Sequence, residues 1–244
     1  MRNIRLTVAY DGTSYCGWQI QPNVPTVQGA IEAALLQILQ KPHRLRSAGR
    51  TDAGVHAIGQ VANFTTDCPL QLRQLQGGLN ALTPDDITIT QVVDVALDFD
   101  IRRQNHGKHY RYTIANSWEL PPPLLRTAFH VRRPLDLAAM ASAAWQLVGT
   151  HDFAAFRAAD CDRESTRRTL FRCTVSTQAS LVTIDVEGTA FLKQMVRVIA
   201  GTLVEIGQGR FAPTIMSRLL ASGDRSEAGG TAPAHGLCLV QVFV

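Results

Sequence analysis

Ala48-Gly49-Arg50-Thr51-Asp52-Ala53-Gly54-Val55-His56 sets an arginine and an acid between two glycines, with a histidine at its end. An apolar, strand-like run follows at once, from Gly59 through Val61 to Phe64. Loops that carry function are commonly fixed by such a rigid flank. Upstream, Ile4, Leu6, Val8 and Tyr10 alternate with other residues, which predicts a half-buried strand broken by Asp11-Gly12. Thr26 predicts a helix cap, followed by an apolar face of Val27, Ile31, Leu35, Ile38 and Leu39 that Pro42 closes. Downstream, Leu72, Leu75, Leu79 and Leu82 predict a second helix, weakened by Gly77-Gly78. The β-branched run from Ile87 to Leu97 predicts a strand.

The second half repeats this mixture. Lys108 to Ala115 predicts a strand with Tyr110, Tyr112 and Ile114 on one face, and Leu135 to Val148 an alanine-rich helix. Phe171 to Thr177 and Leu181 to Glu187 predict paired strands. Ala190 to Ile206 predicts a long helix closed by Gly207. Thr214 to Ala221 predicts another helix and Leu237 to Val244 a last strand, while Ser222 to Ala234, with Gly-Gly and Pro, predicts a mobile loop. The fold class is therefore α+β: two similar lobes, residues 1–103 and 104–244, sharing one sheet.

At 244 residues, with 45% apolar and 18% charged side chains, the chain is globular rather than disordered. A net charge of +4 permits a polyanionic partner without requiring one. The five cysteines are scattered, with no C-x-x-C and no zinc-ligand spacing, so free thiols in a reducing compartment are expected. The N-terminus runs straight into a strand pattern and no apolar run has membrane-spanning length. A cytoplasmic protein with no membrane partner is the expectation.

An aspartate such as Asp52 serves as general base, nucleophile, metal ligand or cap. The plainest reading is a cap on a short turn beside Gly54. Arg50 and His56, a few residues away, would instead keep its carboxylate ionised. The second nearby carboxylate of a glycosidase pair is missing, as is a metal-binding cluster, so the acid would work alone. Lys193 and Arg197 stand four apart on the predicted long helix, away from the stripe Leu192, Val196, Ile199 and Leu203. That face is either solvated surface or one where Arg197 meets an anion. Lys108-His109-Tyr110-Arg111-Tyr112 reads as core aromatics on a strand, or as the interleaving of basic and aromatic residues that base stacking and phosphate contact require. Arg163, Arg167, Arg168 and Arg172, with Arg102 and Arg103, add a surface able to follow a nucleic-acid backbone.

Ala48 to His56 followed by Gly59-Gln60-Val61 resembles the signature of the TruA family of tRNA pseudouridine synthases. Tyr10-Asp11-Gly12, Gly17-Trp18-Gln19, Thr26-Val27-Gln28, Tyr110-Arg111-Tyr112, Asp152-Phe153, Phe156-Arg157, Met195-Val196-Arg197 and Gly236-Leu237 fall in the family's order, so the resemblance covers nearly the whole chain. It implies two ferredoxin-like lobes sharing a central, mostly antiparallel sheet flanked by helices. It implies isomerisation of uridine to pseudouridine at positions 38, 39 and 40 of the tRNA anticodon stem–loop, with no cofactor and no metal, by a homodimer. Carried over by position, Asp52 is the essential aspartate, Tyr110 stacks on the target base, Arg197 pairs with the aspartate and Arg50 belongs to the substrate site. His56 is left without a catalytic role. Gly29 departs from the acid that family members often carry after Thr26, and Lys108-His109 departs from an arginine-rich lead into the tyrosine. An RNA-binding protein without catalysis and a hydrolase using Asp52 with water are the other readings of the same residues.

Overall fold

Alternation of Ile4, Leu6, Val8 and Tyr10, all buried, builds strand β1 (Arg2–Tyr10). The computed structural model describes residues 1–161 and 163–244. After β1 come α1 (Val27–Leu39), β2 (Arg46–Ser47), β3 (His56–Thr66), α2 (Leu72–Leu82), β4 (Ile87–Val95) and α3 (Ile101–Gln104). Then follow β5 (Gly107–Ala115), β6 (Phe129–His130), α4 (Leu137–Trp145), β7 (Gly149–Asp152), β8 (Arg167–Gln178), β9 (Leu181–Gly188), α5 (Met195–Gly207), α6 (Ile215–Ser222) and β10 (Leu237–Phe243). Contacts divide the chain into two units, one of residues 1–106 with 238–244 and one of residues 107–237.

In the first unit β1 is the middle strand. Ile4 faces Phe64 and Leu6 faces Ala62 across an antiparallel ladder to β3, while Leu6 faces Val92 across a second ladder to β4. With β2 on the outer side of β3, the order is β4-β1-β3-β2, the split βαβ arrangement of a ferredoxin-like lobe. Thr26 caps α1 by accepting the Gly29 N–H at 3.2 Å, as its position before the apolar stripe predicts. The last strand also joins this unit: β10 runs parallel to β3, with Cys238 opposite His56 and Leu239 opposite Ala57. A Cβ on Gly59 would lie 2.2 Å from the Val240 carbonyl oxygen, so only glycine admits β10 so close. A reading along the sequence leaves that strand with the second lobe, because nothing local registers a pairing between strands so far apart in the chain.

The second unit is also α+β. Its strands run β5-β9-β8-β7, all antiparallel, and short β6 pairs parallel to the end of β5. Tyr110, Tyr112 and Ile114 lie opposite Val186, Ile184 and Val182, and all six are buried, as the alternation in β5 predicts. Asp136 caps α4 by accepting the Ala139 N–H at 2.9 Å. Helix α5 begins at Met195 rather than Ala190, because Gln194 takes a left-handed φ of 61°. Lys193 therefore lies before the helix, and the like-charge pair at helical spacing does not exist. Gly207 belongs to the helix itself, where a Cβ would lie 2.6 Å from Met140 Sδ, so the residue serves packing on α4.

The expected mobile loop at 222–234 is overturned. Gly229 donates to Thr202 Oγ1 at 3.1 Å and Ala232 donates to the Arg197 carbonyl at 3.1 Å. Arg225 braces the segment through the Gly229 carbonyl and Thr231 Oγ1, both at 3.1 Å. A Cβ on Gly201 would stand 1.8 Å from the Gly230 carbonyl oxygen. Glycine costs a helix stability, and here it admits backbone directly against backbone. Among the described residues no helix is long and apolar enough to cross a membrane. Substituting Gly201→Ala is expected to cost about 1–3 kcal/mol, the range for overpacking, read as a lowered urea midpoint. An unchanged midpoint would show that the 229–232 segment yields freely.

Candidate active site

Asp52 sits in a loop fastened at nearly every residue. Ala48 donates to the Val61 carbonyl at 2.9 Å, and the buried Gln60 side chain donates to the Gly49 carbonyl at 3.0 Å. Thr51 is buried, its Oγ1 2.8 Å from the Tyr10 hydroxyl, and its carbonyl accepts the Trp18 N–H at 3.2 Å. Val55 donates to the Asp52 carbonyl at 3.2 Å, closing a turn in which Gly54 has φ 76°. That is the third position of a turn, where a left-handed φ favours glycine. The short-turn reading of this sequence is thus correct for the backbone. The turn holds half-buried Asp52 and exposed Arg50 on a rigid base.

Two more glycines make the base possible. A Cβ on Gly17, whose φ is 89°, would lie 2.5 Å from the Thr51 carbonyl oxygen, and one on Gly12 would lie 2.0 Å from that of Val55. The motifs Tyr10-Asp11-Gly12 and Gly17-Trp18-Gln19 therefore belong to the aspartate loop physically. Burial pushes the Tyr10 phenol well above its ordinary range, so its hydroxyl stays protonated for Thr51. His56 is buried and its Nδ1 accepts the Gly12 N–H at 3.0 Å. Nδ1 also lies 3.1 Å from Asp11 Oδ1. Buried and held by both contacts, His56 is a structural anchor between the end of β1 and the aspartate loop.

The second unit carries Tyr110 and Arg197. The Tyr110 ring is buried and meets Phe191 edge-on, with centroids 5.1 Å apart at 82°. Arg197, half-buried in the first turn of α5, donates from Nε to the Ala232 carbonyl at 2.9 Å. Its charge acts on the Tyr112 phenol, which burial nonetheless raises above its ordinary range. Tyr112 donates to the Pro233 carbonyl at 2.8 Å, and a Cβ on Gly236 would lie 2.6 Å from the Tyr112 ring. Arg197 thus lies beside Tyr112, two residues from Tyr110 along one strand face, and is not on a solvated surface. The other face of β5 is a different matter. His109 Nε2 and Arg111 Nε lie 2.6 and 2.9 Å from the same oxygen, Oδ1 of buried Asp185. Half of the basic–aromatic strand is therefore committed to an internal ion pair.

Set against known proteins, this α+β chain falls in a class of RNA-modifying enzymes. The family model described as tRNA pseudouridine synthase matches residues 6–102 and 143–243, and the chain belongs to that family. A protein named tRNA pseudouridine synthase A from Geotalea uraniireducens is 51% identical over 243 residues, covering 100% of both chains. One of the same name from Geotalea daltonii is also 51% identical over 243 residues, again covering 100% of both. The solved archaeal box H/ACA sRNP Nop10–Cbf5 complex is similar to 82% of this chain and 44% of that one, at TM-score 0.33 and 10% identity. Arg50, Asp52 and Arg197 fall inside the matched segments and Tyr110 between them.

Sequence reasoning missed Thr51, Gln60 and Phe191 as supporting residues. For Thr51 and Gln60 a signal existed, since both sit within the quoted motif. Phe191 had none beyond its place after Gly188. Among the described residues no group of three or more His, Cys, Asp or Glu is placed to hold a metal ion. Replacing Thr51→Val removes one of the buried Tyr10 phenol's partners and leaves it the Gln60 side chain, at an expected cost of about 0.5–1.5 kcal/mol. In a thermal double-mutant cycle with Tyr10→Phe the two losses should not add. Strict additivity would mean that the loop is not held through this bond.

Proposed function

We propose that this chain isomerises uridine to pseudouridine at positions 38, 39 and 40 of the tRNA anticodon stem–loop, with Asp52 as the catalytic group and no cofactor. The observation that carries the reading is the Asp52 loop: a half-buried carboxylate on a backbone pinned by Gly12, Gly17, Tyr10 and Gln60, in a chain of this family. The reaction needs no outside reagent. The bond from ribose C1′ to base N1 breaks, a bond from C1′ to C5 forms, C5 loses a proton and N1 gains one. A lone carboxylate serves it by adding to C6 of the base or C1′ of the sugar, or by stabilising positive charge as the base departs.

The remaining residues take roles that a flipped nucleotide requires. The target base must leave its stack to be reached, and Tyr110 is the aromatic surface that receives it. Arg197 is the guanidinium partner of the carboxylate, as the family pattern implies, and keeps it charged where an unpaired charge is costly. Arg50, exposed two residues before Asp52, meets the phosphate or the flipped nucleotide. The chain acts in the cytoplasm as a homodimer, with one tRNA recognised by shape across two copies.

Asp52→Asn keeps the size of the side chain and removes its charge. Pseudouridine formation on an unmodified tRNA transcript should fall by about 10²–10⁴-fold, the scale of a single catalytic group, with folding intact by circular dichroism. Product at the parental rate would remove Asp52 from the chemistry, and release of free uracil by the parent would make the chain a hydrolase. Tyr110→Phe should retain more activity than Tyr110→Ala, because stacking needs the ring and not the hydroxyl. Equal rates in all three would rule out the stacking role.

A further inference from the structure

The arginines between Phe156 and Cys173 are not equivalent. Arg172 is spent on Glu187, at 3.3 Å across the ladder between β8 and β9. Arg168 differs: its Nη1 rests on the Ser165 and Arg167 carbonyls at 3.0 and 2.6 Å, while its Nε is buried with no hydrogen-bond partner. No carboxylate ion pair is recorded for it among the described residues. Burial, and secondarily the charge of Arg163, lower its ability to hold its proton. A buried donor without an acceptor is unfavourable, and in a native structure it asks for an explanation such as an absent ion. Backbone carbonyls of neighbouring residues are weak partners for a guanidinium. The parked arrangement is thus cheap to leave once an anion offers two oxygens to the fork.

Its place on the sheet says which anion. Gly188 lies opposite both Lys108 on β5 and Leu170 on β8. A Cβ on Gly188 would touch Leu170 at 2.7 Å and Phe191 at 3.3 Å, and Phe191 is the ring that meets Tyr110. Arg168 is two residues beyond Leu170 and so shares the sheet face that carries Tyr110. Two strand spacings and four residues of rise set it about 16 Å from Tyr110, a few base steps at about 3.4 Å each. The geometry points to Arg168, assisted by Arg163, as a site for a backbone phosphate of the substrate RNA a few nucleotides from the modified uridine. This rests on the function proposed above.

A phosphate contact has a signature that a structural arginine lacks. Affinity that releases one counterion varies with salt to a power of about 0.9. For Arg168→Gln, the parent-to-variant ratio of tRNA affinity should shrink about threefold as salt rises from roughly 50 to roughly 200 mM. KM should rise while kcat stays within about twofold, because the contact positions the RNA without touching the reacting atoms. A ratio that does not change with salt, or an unchanged KM, overturns the proposal. If Arg168→Gln loses its fold, Arg168→Lys and Arg163→Gln decide. Arg168→Lys keeps the charge and should keep the parental salt dependence with a raised KM, and Arg163→Gln should shift the salt dependence as described. Parental KM and salt dependence in both variants rule the site out. Product formation by the parent tests the catalytic reading separately, since the binding measurement stands whether or not pseudouridine appears.

Discussion

The packing of Gly12 and Gly17 against the backbone of residues 51–55 is the constraint on which the site depends. With would-be Cβ positions 2.0 and 2.5 Å from carbonyl oxygens, these segments lie closer than any side chain permits. The contact joins the end of β1, the turn after it and the aspartate loop into one body. Each of the loop's other fastenings then acts on a backbone already in place: Thr51 on Tyr10, Gln60 on Gly49, Gly12 on His56. A side chain proposed for chemistry, as Asp52 is, must be held near its productive geometry by neighbours that are themselves fixed. Here the fixing elements are mostly main chain, which has little rotamer freedom to lose.

Much of this was legible in the sequence, for reasons that differ by element. The strand of Ile4 to Tyr10 and the helix after Thr26 follow from period and cap, because each buries one face against a regular neighbour. The aspartate loop was legible as a motif, and its turn follows from Gly54. What stayed hidden was non-local. The return of β10 to β3 has no sign in either strand alone. Ala190, Phe191 and Leu192 fit a helical pattern, yet α5 starts only at Met195 and Phe191 serves as an edge partner for Tyr110. The 222–234 segment reads as loose because its glycines and proline are turn formers. Its order comes from Gly201 and Thr202 on a helix that precedes it in the chain.

Charge shows the same limit from another side. A count of basic residues along β5 and β8 overstates what is available to an RNA. His109 and Arg111 converge on Asp185, Arg172 on Glu187, Lys193 on Asp160 and Arg210 on Glu205. Pairs of this kind at the surface contribute little to stability, but they do cancel local field, and a phosphate must compete with the carboxylate already present. Asp185 is the clearest instance. It is buried, one of its oxygens meets both the His109 ring and the Arg111 guanidinium, and from β9 it sits opposite Arg111, on the sheet face away from Tyr110. The strand therefore separates its functions by face, with the ion pair bracing one side and the aromatic rings lining the other.

That separation explains how a chain of modest net charge serves a polyanionic substrate. Affinity for RNA scales with the number of phosphates actually neutralised, not with total charge. A chain at +4 that pairs several of its cations with carboxylates relies on those placed where a phosphate can reach them. Such a design favours arginine over lysine where a cation is left without a carboxylate, because the guanidinium is weakly hydrated, stays protonated under partial burial and presents a fork that matches phosphate. The composition leans that way, with lysine at only Lys41, Lys108 and Lys193 in the whole sequence. Two of those three are paired with Asp67 and Asp160, and burial lowers the proton affinity of the third, Lys108. The cations left for a long anionic substrate are accordingly guanidinium groups, held by neighbouring backbone until an acceptor arrives.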